Sequence, residues 1–152
     1  MKGKSIIRAM LVCGLVTLVL VLAGCQGGGI GFPGTGTGKA SLSNATMCKS
    51  VDLETGEPLE KADTFTPATQ VIYCSVKVSN ATPDTEIGAE WLYLPSGDEE
   101  GLLISDWSTT MEGTRYIPLS ITRPENGWPE GNYRVVFYLD DEEVLSVAFT
   151  VE

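Results

Sequence analysis

The sequence predicts an all-β domain, a two-sheet antiparallel sandwich of about seven strands. Three observations carry that expectation. Segments of six to ten residues alternate apolar and polar side chains, and clusters of turn residues separate them at regular spacing. No window sustains the apolar recurrence of an amphipathic helix.

The strands follow in order. A weaker one fits Ala45 to Val51. Val71 to Val78 turns Ile72, Cys74, Val76 and Val78 to one face and Tyr73, Ser75 and Lys77 to the other. Glu86 to Leu94 places Ile87, Ala89 and Trp91 inward. A second weaker strand fits Leu102 to Trp107. Arg115 to Thr122 aligns Ile117, Leu119 and Ile121. Gly131 to Asp140 sets Tyr133, Val135, Phe137 and Leu139 inward, and Val144 to Val151 offers Val147, Phe149 and Val151. Turn-forming residues punctuate them at 54–58, 80–84, 95–98 and 140–143.

Ahead of this domain the chain has a different character. Lys2, Lys4 and Arg8 precede a run of about fifteen apolar or small residues, Ala9 to Ala23, which is short for a bilayer span and has the build of a secretory signal. The run ends in Leu22-Ala23-Gly24-Cys25, which resembles a bacterial lipobox. The resemblance covers the first 25 residues and implies that the Cys25 thiol is lipidated and that residues 1–24 are removed. Two or three acyl chains then hold the protein on the extracytoplasmic side of a membrane, where one chain alone binds marginally. An ordinary signal peptide and an uncleaved anchor helix are the competing readings.

Residues 25–40 follow as a tether. The stretch from Gln26 to Ala40 holds seven glycines in fifteen residues, too little to bury for an ordered structure. Gly34 to Lys39 reads G-T-G-T-G-K, but it lacks the P-loop spacing and the flanking strand and helix, so no phosphate site is expected. The domain itself spans residues 41–152.

Composition excludes several functions. With the signal removed, seven basic residues face twenty acids, a formal charge of −13 that argues against nucleic acid and against an anionic lipid surface. The chain has no histidine, and with it goes His-based acid–base or nucleophile chemistry. No S-x-x-K motif is present, so no enzyme activity and no cofactor are expected. The acids of 98–100 and 140–143 fall in turns without EF-hand spacing and read as solvated hairpin tips, not calcium loops. Cys48 and Cys74, the remaining cysteines of an exported domain, are expected to form a disulfide closing a loop of about 27 residues, worth roughly 3–4 kcal/mol. The Asn-Ala-Thr sequons at Asn44 and Asn80 would matter only in a eukaryotic secretory route.

A strand with a core Trp91 following one with a core Cys74, and Tyr133 opening the penultimate strand, resemble the immunoglobulin-like arrangement, in which that tyrosine forms a corner. The cysteine spacing departs from the antibody pattern, since Cys48 lies in the first strand and the sixth carries none. The stretch Asn126-Gly-Trp-Pro-Glu-Gly-Asn-Tyr-Arg-Val135 also resembles a W-P-x-G-x-Y-x-V motif of uncharacterised bacterial and archaeal envelope proteins. That motif leads into the last hairpin of a small sandwich and implies no activity. Asn126-Gly127 and Glu130-Gly131 suit turns with positive φ, and Trp128 suits a cap over the open end of the sandwich.

Two functions fit. One is a non-catalytic, membrane-anchored envelope lipoprotein that presents the sandwich to another envelope protein. The alternative is a carbohydrate or small-ligand module using exposed aromatics. Trp107, Trp128 and Tyr138 are the candidate contact residues. Their exposure on one face favours the ligand module; burial, with a bare hydrophobic sheet edge elsewhere, favours protein contact.

Overall fold

A computed structural model describes residues 38–95 and 101–152. The signal segment, Cys25, nearly all of the tether and the acids at 98–100 lie outside these residues. The described chain forms eight strands: β1 (Ser41–Cys48), β2 (Thr64–Phe65), β3 (Val71–Ala81), β4 (Glu86–Leu94), β5 (Leu102–Thr110), β6 (Gly113–Thr122), β7 (Gly131–Leu139) and β8 (Glu142–Val151). They make a three-stranded sheet in the order β1-β3-β6 and a five-stranded sheet in the order β2-β8-β7-β4-β5. All pairs are antiparallel except β2 with β8, a two-residue parallel contact.

Alternation decides which side chains meet between the sheets. Ile72, Cys74, Val76 and Val78 of β3, Ile117, Leu119 and Ile121 of β6, and Met47 of β1 are buried from one sheet. Ile87, Ala89 and Trp91 of β4, Tyr133, Val135, Phe137 and Leu139 of β7, and Phe149 and Val151 of β8 are buried from the other. Ser75, on the far side of β3, is buried as well, because the excursion 49–63 folds back over that face. There the Ser75 hydroxyl donates to the Gly56 carbonyl at 2.6 Å. Gly56 sits at φ 75°, and a Cβ on it would stand 2.9 Å from the Tyr116 carbonyl oxygen. Only glycine fits that crossing.

The turns use local chemistry. Thr66-Pro-Ala-Thr69 and Thr82-Pro-Asp-Thr85 close in the same way: the second threonine's N–H donates to the first one's carbonyl, at 3.0 and 2.9 Å. Its hydroxyl accepts from the first one's N–H, at 3.1 and 2.9 Å. Asp140 and Asp141, at φ 50° and 66°, form the two-residue loop of the β7–β8 hairpin, whose backbone twist requires positive φ. The repeated Asn-Ala-Thr has a structural use. Asn44 and Asn80, at φ 53° and 56°, lie where the registers of β1 and β3 slip, and asparagine tolerates that left-handed conformation.

The expected Cys48–Cys74 disulfide is not formed; both thiols are free and buried. The ladder explains why. Met47 pairs with Cys74, and Cys48 pairs with Tyr73. Paired residues share a face, so Cys74 points into the core while Cys48 points to the outer face of the same sheet, beneath the excursion that pairs Cys48 with Lys61. Burial raises the pKa of both thiols. A fragment spanning residues 38–152 is expected to withhold both thiols from Ellman's reagent while folded and release two on denaturation. Dithiothreitol should leave its thermal midpoint unmoved; a fall of several degrees would reveal a bridge.

Candidate functional site

At one end of the sandwich the loop 124–131 is locked in place. Gly127 and Gly131 take φ 82° and 141°, as the turn chemistry requires. Trp128 is buried, its indole N–H donating to the Thr69 carbonyl at 2.7 Å and its backbone N–H to the Pro67 carbonyl at 3.1 Å. It caps the end of the core and has no donor left to offer a ligand. Next to it the Tyr133 hydroxyl donates to the Pro129 carbonyl, four residues upstream, at 2.6 Å. This is a tyrosine corner. Burial, aided by nearby Tyr93, pushes the Tyr133 pKa up to about 12.

Tyr138 faces outward. It pairs with Gly88 on the outer surface of the five-stranded sheet, and its hydroxyl donates to Glu90 Oε2 at 2.9 Å. That hydrogen bond is the main cause of its raised pKa. A hollow of about 320 Å³ opens beside it, lined by Glu86, Gly88, Glu90, Asp106, Ser108 and Asp141 among others. No group of three or more His, Cys, Asp or Glu among the described residues is arranged to hold a metal ion.

Trp107 lies on the opposite surface of that sheet. Its partner Ala89 faces the core, and the indole packs half-buried against the core's margin. Here the flank between β5 and β6 forms a groove of about 340 Å³, with Leu53, Trp107, Met111, Tyr116, Ile117 and Pro118 in its lining. Leu53, at the tip of the 51–58 hairpin, is almost fully exposed. The three aromatics singled out in the sequence therefore do not share a face.

What the sequence did not single out is the apolar edge of β5. This strand is the outer one of its sheet, and Leu102, Leu103 and Ile104 on it are 60 %, 57 % and 39 % exposed. Ile104 falls at a bulge opposite Trp91 and Leu92, so the run of three breaks alternation and shows apolar surface on both sides. The three consecutive apolar residues Leu102 to Ile104 were the available signal.

The domain resembles an immunoglobulin-like protein of Pseudomonas aeruginosa, PA1606, with a TM-score of 0.52 at 10 % identity, over 77 % of this chain and 99 % of that one. The domain is an immunoglobulin-like β-sandwich. An alkylpurine DNA glycosylase, AlkC, of Pseudomonas fluorescens gives a TM-score of 0.43 at 10 % identity, over 75 % of this chain and 30 % of that one. A β-glucosidase from Listeria innocua gives 0.43 at 9 % identity, over 74 % and 16 %. No family model matches the sequence, and no curated protein matches it.

Two predictions concern the immunoglobulin-like domain's closed end. Trp128→Ala is expected to cost about 3–5 kcal/mol of stability in urea unfolding, as truncation of a buried tryptophan does. For Tyr133 the neutral phenol is the folded form, so its contribution is complete below pH 10, the ordinary tyrosine value, and is lost as the pH rises through about 12. Melting curves of wild type should fall more steeply across that window than those of Tyr133→Phe; parallel curves would refute the buried phenol.

Proposed function

We propose that this chain is a non-catalytic envelope lipoprotein, anchored through lipid on Cys25, that presents its immunoglobulin-like domain for contact with another envelope protein. The observation that supports this most is the open flank of the five-stranded sheet. β5, the outer strand of its sheet among the described residues, carries exposed Leu102, Leu103 and Ile104, and the groove beside it adds Trp107, Leu53 and Tyr116. Exposed apolar side chains grouped on one edge mark contact surfaces, whereas singly scattered ones do not. A carbohydrate platform draws less support, since Trp128 is committed to the Thr69 carbonyl and Trp107 and Tyr138 occupy opposite surfaces.

The anchor and the contact are tested together. Full-length protein carrying a photo-crosslinking residue at Leu103, Leu53 or Ser120 is illuminated in envelope membranes. Ser120 is exposed on β6, on the outer surface of the other sheet. Protein adducts are expected from Leu103 and Leu53 and not from Ser120. Cys25→Ala should abolish acyl labelling, release the protein from membranes and remove the adducts. Adducts from none of the positions would end the contact reading, and unchanged membrane attachment of Cys25→Ala would end the lipid anchor.

A further inference from the structure

The outer surface beside β5 carries a charge arrangement that protein contact in general leaves unexplained. Glu90 and Asp106 stand directly opposite one another across the β4–β5 ladder. Like charges at that position repel and destabilise the pair. Tyr138 donates to Glu90, and Asp106 is exposed at the rim. Glu86 and Asp141 border the same hollow, whose lining holds no basic residue; Arg134 of β7, opposite Leu92 on this surface, is the cation that acts on Tyr138.

Along the strand this carboxylate pair adjoins the apolar cluster. Leu103 shares the outer surface, with buried Leu92 behind it. Beyond the bulge at Ile104, Ser105 to Thr110 pair regularly with β4, and among the described residues no strand lies on the other side of β5. An outer strand can extend the ladder through the backbone N–H and C=O groups on that side. A strand laid there would set its side chains about 5 Å from those of β5 on each surface.

We propose that the free edge of β5 accepts an extended segment of a partner protein as an added strand, with an apolar side chain against Leu103 and a lysine or arginine reaching the Glu90–Asp106 pair. This rests on the protein-contact reading and names the chemistry of the partner. Charge complementarity selects the occupant. A second copy of this chain would bring acid to acid, in a protein whose net charge is −10, and an anionic lipid surface would be repelled in the same way. A cationic strand instead relieves the repulsion while its backbone completes the edge.

The test uses the full chain in lipid nanodiscs with three labelled synthetic peptides in a Thr-rich strand: Leu and Lys two residues apart and so on one surface, Leu and Lys adjacent and so on opposite surfaces, and the first with Glu in place of Lys. The peptide with Leu and Lys on one surface is expected to bind at least about tenfold more tightly than the other two. Bound, it should slow amide exchange in Ser105–Thr110. Asp106→Lys should weaken it about tenfold or more and Asp106→Asn by less, and added salt should weaken it for wild type. Equal binding by Asp106→Lys, or exchange protection confined to other strands, would overturn the assignment. So would a dimer in sedimentation that Asp106→Lys leaves intact and that already protects β5. Cross-links at Leu53 without peptide protection of β5 would sink this edge while leaving protein contact standing; no cross-links anywhere would remove both.

Discussion

Phe149 is the ring around which the five-stranded sheet is arranged. It stacks on Tyr133 of β7 at 4.9 Å and meets Trp91 of β4 and Phe65 of β2 edge-on at 6.1 and 5.7 Å. Four aromatics from four strands can converge in this way only if all project from the same surface of the sheet, which fixes the relative register of the strands. A one-residue slip in any of them would turn its ring to solvent. Each ring also buries a large apolar area, so the cluster supplies a substantial part of what offsets the ordering entropy of the chain.

The closed end follows from that cluster. Tyr133 belongs to the stack by its ring and to the loop by its hydroxyl, so packing and the Pro129 hydrogen bond hold one another in place. Trp128, three residues ahead of β7, reaches across to the Thr66–Thr69 turn and draws the start of β3 toward the start of β7. The sandwich is thereby tied at one end and left open along the β5–β6 flank. Rigidity at the closed end and exposure on the flank are two results of one distribution of aromatic side chains.

Strand positions were largely legible because period-two alternation is a direct imprint of burial. Val71, Glu86, Leu102 and Gly131 open strands where the pattern places them, and the inward residues of β3, β4, β6 and β7 are buried as alternation requires. The capping role of Trp128 was readable because glycines that force turns flank it, and the corner role of Tyr133 because it opens the penultimate strand. β2 was not readable, since two residues carry no period, and its parallel pairing with β8 depends on the path of the excursion before it. Ser75 was assigned outward correctly, but its burial comes from the 49–63 segment, which alternation within β3 cannot register. The contact surface was hidden for a further reason. Whether Leu103 is core or edge depends on strand order, and Glu90 meets Asp106 only through a cross-strand register that a linear pattern does not encode.

The two cysteines misled because pairing was inferred from number and compartment, while the deciding quantity was a register offset of one residue. Cys48 and Cys74 serve as small apolar fillers on opposite surfaces of one sheet. The domain therefore reaches its final topology without surrendering electrons to any acceptor. With no bond between Cys48 and Cys74, the packing of the two sheets does not draw on the oxidation state of that pair.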